Sequence, residues 1–252
     1  MGTDADDHIP YYKRVVLKLS GEALKGDYSY GISHSVIDDI AVEIRALHDL
    51  DVEVAVVIGG GNFFRGAGGD QLGIDRAAAD YMGMLATVIN GIALQDALGK
   101  KGLDVRLVSA LEIKEVAEPF INKKVRHHLA NKRVVIFAAG TGNPYFTTDT
   151  AAALRAIEIK ADLFLKATMV DGAYADDPKK VKNLAKFNHI TYDEVIAREL
   201  KVLDATAVTL CKENNLHIKI FNVTEKGNIV KAVTDKNIGT SISAEADGGN
   251  HD

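Results

Sequence analysis

The stretch VVIGGGNFFRG, residues 56–66, places three consecutive glycines, Asn62 and Arg65 directly after an apolar run. Glycines carry no side chain to pack, so the bare backbone there suits a tight turn, a dinucleotide loop or a cradle for a phosphate. Lys18 interrupts a second apolar run, VVLKLSG, just before Gly21. An unpaired ammonium is costly inside a strand, so either that end is open to water or an anion or carboxylate meets it. A third stretch, GTGNPYFTTDT (140–150), joins glycines, an amide and hydroxyls to Asp149 ahead of an alanine-rich segment. N–H and hydroxyl groups at a helix start can hold a phosphate or the polar edge of a base. The plainer reading is that Thr147, Thr148 or Asp149 is an N-cap. Asp149 could also orient Lys18 and hold a metal.

These groups need a frame. Short apolar, β-branched runs recur at 14–21, 52–61, 104–110, 133–142, 162–168 and 217–223. Most are continuous rather than alternating, as in strands covered on both faces. Helical spacing separates them: Val36, Ile37, Ile40, Ile44 and Leu47, then the longer DYMGMLATVINGIALQDAL (80–98), then a capping-box start at Thr191 and Glu194. Strand alternating with helix predicts an α/β fold with a mainly parallel sheet, whose carboxyl edge gathers the glycine turns and any ligand. The small residues Gly83, Ala86 and Gly91 in 80–98 suit close packing, either within the chain or between subunits.

Composition narrows the function. The 252 residues are 47% hydrophobic with a net charge of −5, which argues against general nucleic-acid binding. Cys211 is the single cysteine, so no internal disulfide forms, and packing is its expected role. No apolar run reaches the roughly 18 to 20 residues that span a membrane, and the acidic N-terminus is not a signal peptide. A cytoplasmic protein with one domain, 11–242, and flexible tails at 1–10 and 243–252 is expected. Neither standard nucleotide motif is present. In GGGNFFRG the third glycine of the dinucleotide fingerprint would fall at Phe64, and no Walker A loop occurs.

Taken together, YKRVVLKLSGEAL, VVIGGGNFFRGAG, DYMGMLATVINGIALQDAL, AGTGNPYFTTDTAAALRAIEIKAD, KATMVDGAYADDP and ELKVLDATA resemble the amino acid kinase superfamily. GGGNFFRG with GTGNPYFTTDT resembles, within it, the bacterial-type uridylate (UMP) kinases, and the likeness runs from about Tyr12 to Ser241. The resemblance implies a one-domain, three-layer α/β/α sandwich around a mainly parallel sheet of about eight strands. It implies reversible, in-line phosphoryl transfer from ATP to UMP with Mg²⁺, in pyrimidine nucleotide biosynthesis, by a homohexamer built from dimers.

The resemblance also implies roles for residues. Lys18, Leu19, Ser20 and Gly21 would contact the ATP phosphates. Gly60 would lie on the UMP side, Gly61 between the nucleotides, and Arg65 beside the reacting phosphates. Asp80 would hold the UMP ribose, while Thr141, Gly142, Asn143, Pro144, Tyr145, Phe146, Thr147 and Thr148 wrap the uracil and phosphate. Thr168, Tyr174 and Asp177 would hold the adenine nucleoside. Asp149 and Asp204 would organise the phosphates, the lysine and the metal, with Asp149 the metal ligand. Gly26, Asp27, Tyr28, Ser29, Tyr30 and Gly31 match by position a loop linked to GTP activation, and UTP would act as feedback inhibitor. Met169 departs from the family's usual Asn or Lys, removing a polar group near the adenine nucleotide.

The residue types agree with such chemistry. A phosphate acceptor is already anionic, so alignment and charge stabilisation by Lys18, Arg65 and glycine N–H groups matter more than a general base. The competing readings are a kinase of the superfamily acting on an acylglutamate, carbamate or isoprenoid phosphate, a non-catalytic nucleotide-binding module, and a nicotinamide oxidoreductase. Preference for UMP over CMP rests on the resemblance.

Overall fold

The computed structural model describes residues 10–64, 73–176, 181 and 184–244. Its elements are β1 (Arg14–Leu19), α1 (Gly21–Leu24), α2 (His34–Asp49), β2 (Glu53–Ile58), α3 (Arg76–Lys100), β3 (Val105–Ser109) and β4 (Glu118–Pro119). There follow α4 (Asn122–Ala130), β5 (Val134–Ala138), α5 (Thr148–Glu158), β6 (Leu163–Thr168), β7 (Ala173–Tyr174), β8 (Lys186–Phe187) and β9 (His189–Thr191). The last are α6 (Tyr192–Ala197), α7 (Ala205–Glu213), β10 (His217–Asn222), α8 (Asn228–Thr234) and β11 (Thr240–Ser243).

Each of the six apolar runs forms a strand, and together they make the centre of one sheet in the order β4-β3-β5-β2-β1-β6-β10-β11-β9. Its pairings are parallel except for β10 with β11. Among the described residues the sheet has nine strands rather than about eight, because β4, β9 and β11 are short outer pieces of mixed composition. A separate ribbon pairs β7 with β8. Ser243 closes β11 and so belongs to the sheet rather than to the expected tail.

Strand periodicity sorts the side chains between two cores. Val15, Leu17 and Leu19 join Val54, Val56 and Ile58 against α2, α3 and α8. Val16, Val57, Phe137 and Phe164 face the opposite layer, built from α4, α5, α6 and α7. Burying side chains of this size stabilises the fold by about 1.5–3 kcal/mol each, which the helices on both faces make possible. Cys211 is buried in the second core, and that burial pushes its thiol up to about 12, so it packs as an apolar group. The capping box forms as read: Thr191 accepts from the Glu194 N–H, and the Glu194 side chain accepts from the Thr191 N–H.

α3 corrects one expectation, since it is long and apolar enough by length and composition to cross a membrane. It nevertheless serves as a core helix, with Met84, Val88, Leu94 and Leu98 buried against the sheet. Of its small residues Gly91 packs internally, where a Cβ would lie 2.7 Å from Leu107 Cδ1, whereas a Cβ on Gly83 would meet nothing within 4 Å.

Candidate active site

The carboxyl ends of β5, β2, β1 and β6 lie side by side, and the site is built on them. Lys18 shares the face of Val16, so its side chain points toward α5 rather than into the apolar layer of Leu17. There its Nζ lies 2.8 Å from Asp149 Oδ1, in α5's first turn. Of the two readings of Lys18, an end open to water and a carboxylate that meets it, the second holds: the ion pair is largely buried, with both side chains about 12–13% exposed.

A second lysine, which the sequence reading passed over, completes this cluster. Lys166 of β6 is the direct register partner of Lys18. Its Nζ lies 2.5 Å from Asp149 Oδ2 and 2.5 Å from the Val202 carbonyl. Burial would raise the Asp149 carboxyl, but the charges of Lys18 and Lys166 outweigh it and hold Asp149 below the usual carboxylate range. Burial, helped by the neighbouring charge of Lys18, lowers Lys166 against the opposing pull of Asp149. The signal was present in DLFLKAT, where a lysine interrupts an apolar run just as Lys18 does.

Two clefts meet at this cluster. One, of about 630 Å³, takes its lining from Lys18, Gly60, Gly61, Phe64, Arg76, Asp80, Thr141, Asn143, Phe146, Thr147, Thr148 and Asp149. The other, of about 580 Å³, is lined by Lys166, Thr168, Met169, Val170, Gly172, Tyr174 and Asp176 and by 199–202. Thus most residues expected on an acceptor side share one cleft, and Thr168 and Tyr174 share the other. Thr168 Oγ1 is 2.7 Å from the Val170 carbonyl, and Tyr174 donates to Asp171 at 2.6 Å. Met169 lies on the rim, about half exposed. Arg65 and Asp177 lie outside the described residues.

Close backbone packing explains part of the glycine run. A Cβ on Gly60 would lie 2.6 Å from the Gly83 carbonyl of α3, and one on Gly21 would lie 2.6 Å from Gly61 N. Larger residues would push apart the two turns that wall the cleft. Leu19 points into the core, so of the Lys18–Gly21 turn it can offer only backbone to a ligand. Ser20 is the N-cap of the single-turn α1.

Behind these turns, Asn62 and Asn90 form a buried amide pair with bonds of 2.9 and 2.7 Å. Asn90 also donates to the Gly59 carbonyl and Asn62 to the Gly31 carbonyl. The pair thus ties the glycine turn to α3 and to the 26–31 segment, whose Tyr28 and Tyr30 are exposed. Asn90→Leu leaves buried partners unpaired and is expected to destabilise the protein by about 1–3 kcal/mol. Urea denaturation checks this; a midpoint matching wild type would reject the role.

The 141–148 segment is positioned from both ends. Asp80 Oδ2 accepts from the Tyr145 N–H at 2.8 Å and from Arg76 at 3.0 Å. Thr147 is the N-cap of α5, as the plainer reading proposed, and its hydroxyl also donates to Asp204. Asp204 takes a second bond from Thr150 at 2.8 Å and caps α7 through Ala207 N. Its carboxylate therefore positions the start of α5 and does not line either cleft.

A family model described as the amino acid kinase family matches residues 13–222. The UMP kinase of Bacillus anthracis superposes with a TM-score of 0.90 at 38% identity, over 93% of this chain and 97% of that one. The UMP kinase of Ureaplasma parvum gives 0.87 at 38% identity, over 92% and 98%. The uridylate kinase of Archaeoglobus fulgidus gives 0.72 at 29% identity, over 91% and 99%. With a family match over most of its length and paired clefts meeting at a buried lysine–carboxylate cluster, the chain is a kinase of the amino acid kinase family, with bacterial UMP kinases among its homologues.

Proposed function

We propose that the protein transfers the terminal phosphoryl group of ATP directly to UMP, reversibly giving ADP and UDP, in pyrimidine nucleotide biosynthesis in the cytoplasm. The observation that carries this reading is the junction of two clefts of similar size on Lys18, Asp149 and Lys166. UMP occupies the cleft of Gly60, Asp80 and 141–148, where Thr141 and Asn143 offer polar groups to a base edge. ATP occupies the cleft of Thr168 and Tyr174, with its phosphates directed at the cluster; that Arg65 acts on the reacting phosphates rests on the family resemblance. The acceptor oxygen is already anionic, so the transfer needs no general base from Asp149. That carboxylate holds Lys18 where charge develops on the transferring group. Unpaired buried groups around a mismatched base supply the selectivity for uracil.

Mg²⁺ fits as an ion carried in on the nucleotide. Among the described residues no three Asp, Glu, His or Cys side chains converge to form a cage. Asp149 is the carboxylate of the cluster, and its lone pairs beyond those facing the lysines leave room for one metal contact. When bound, the ion supplies charge neutralisation on the phosphate oxygens.

Self-association up to a hexamer is supported by the outer stripe of α3, where Tyr81, Leu85, Ile89 and Ile92 are exposed; sizing chromatography at the molecular mass of a monomer would reject it. GTP activation through Gly26–Gly31 is supported by the Gly31–Asn62 link to the glycine turn. UTP inhibition rests on the family resemblance. Initial rates that neither GTP nor UTP changes, at subsaturating ATP, would remove both effectors.

The decisive assay follows turnover of Mg-ATP with UMP, CMP, AMP, acetylglutamate and carbamate. UMP is expected to be phosphorylated much the fastest. No turnover of any nucleoside monophosphate would overturn the proposal.

A further inference from the structure

Arg76 opens α3, and helix electrostatics alone argue against it there. The N-terminus of a helix carries partial positive charge, so a cation in the first turn is disfavoured. Its pair with Asp80, Nε to Oδ2 at 3.0 Å, also runs in the weaker order, with the base four residues ahead of the acid. Nor does the first turn need Asp80 as an acceptor, since the Asp75 side chain already accepts from the Ala77 and Ala78 N–H groups. The reason for the pair lies outside the helix.

Asp80 Oδ2 takes two bonds, one from Arg76 and one from the Tyr145 N–H. Tyr145 has a left-handed backbone, φ 69°, which a bulky residue adopts only where its surroundings impose it. The Arg76 guanidinium also lies over the Tyr145 ring, 5.8 Å from its centroid. Arg76 thus holds both members of one link, the carboxylate and the residue whose N–H it accepts. Both bonds fall on the same oxygen, and Oδ1 has no partner among the described residues. The Asp80 side chain is nevertheless only 12% exposed, and it borders the cleft of Gly60 and Thr141. A carboxylate anchored through one oxygen presents the other in a fixed direction, as an acceptor suited to a hydroxyl.

Resting on the reading of that cleft as the UMP side, we propose that Arg76 is a positioning residue for the acceptor nucleotide. It anchors Asp80 through Oδ2, keeps Oδ1 turned to the acceptor's ribose, and so sets the preference for a ribose over a 2′-deoxyribose. A site built to hydrogen-bond a hydroxyl rejects the analogue that lacks it, because the buried acceptor is left unpaired. That penalty holds only while the acceptor is kept in place, which is the part Arg76 plays.

Steady-state kinetics of wild type, Arg76→Met and Arg76→Lys with UMP and dUMP as acceptors test this. Wild type is expected to prefer UMP in kcat/KM. Arg76→Met is expected to narrow that preference at least about fivefold through a higher KM for UMP, with kcat and the KM for ATP within about twofold of wild type. Arg76→Lys, which keeps the charge without the planar fork, should fall between the two. An unchanged preference, or an equal loss on UMP and dUMP, would overturn the proposal in favour of a structural role, because a loosened turn weakens both acceptors alike. Should Arg76→Met fail to fold, the ¹⁵Nε resonance of Arg76 in wild type, assigned with Arg76→Lys, must shift more with UMP than with dUMP. Equal shifts would overturn the proposal as well. Turnover of UMP by wild type in the same preparation tests the function itself, so failure of that reading is seen separately from failure of the Arg76 role.

Discussion

Lys18→Ala is expected to lower kcat/KM for UMP phosphorylation by at least about tenfold, or about 1.4 kcal/mol of transition-state stabilisation. The ammonium sits at the carboxyl end of β1, held by Asp149 at 2.8 Å, where the cleft of Gly60 and Asp80 reaches the cluster. Charge spreads over the oxygens of a transferring phosphoryl group, and a pre-positioned cation in a water-poor site stabilises it without reorganising. The loss should therefore fall mainly on kcat. Arg65→Ala is expected to act in the same direction and by a similar amount. Steady-state kinetics with both substrates varied decide the matter: near wild-type values in both variants would reject these roles.

Asp149→Asn is the more disruptive change. The amide keeps the shape of the carboxylate but leaves two largely buried ammonium groups, on neighbouring strands, without their counter-charge. Breaking a buried pair by removing one partner costs about 3–5 kcal/mol, and activity should fall with the geometry of both lysines. The effect has a defined pH signature. The folded-state pKa of Asp149 is depressed below its ordinary value of 3.8. The ionised carboxylate thus contributes stability that is fully present above the unfolded value and is lost as pH falls through the folded one. The gap in stability between wild type and Asp149→Asn should be constant near neutrality and close only in strongly acidic solution. Urea titrations over that range would contradict the assignment if the gap were absent at pH 7.

Much of this site was legible before any coordinates. Lys18 interrupting an apolar strand called for either an open end or an anionic partner, and Asp149, a candidate because it stands in a turn entering a helix, is the partner found there. Thr147 as N-cap and the Thr191–Glu194 capping box follow from local hydrogen-bonding chemistry, and both form. Lys166 was overlooked although DLFLKAT carries the same signal, because nothing in that segment states which strand lies beside it. Asp204 was expected among the reacting groups, whereas its oxygens are engaged by Thr147, Thr150 and Ala207.

Sequence by itself determined the six central strands, the helices at 36–47, at 80–98, after Asp149 and after Thr191, and the mainly parallel class of the sheet. Each of these depends on periodicity or on partners a few residues away. Tertiary structure alone decided that Lys166 stands opposite Lys18, that Asn62 meets Asn90, and that two clefts meet on one carboxylate. Those relations depend on strand order and register between segments far apart in the chain, and parity fixes only the face of a side chain, never its neighbour across the sheet. The glycines of 59–61 show the division well. Their lack of side chains announced a close approach, but only the packed structure shows that the Gly83 carbonyl, the Gly21 turn and a cleft all require it.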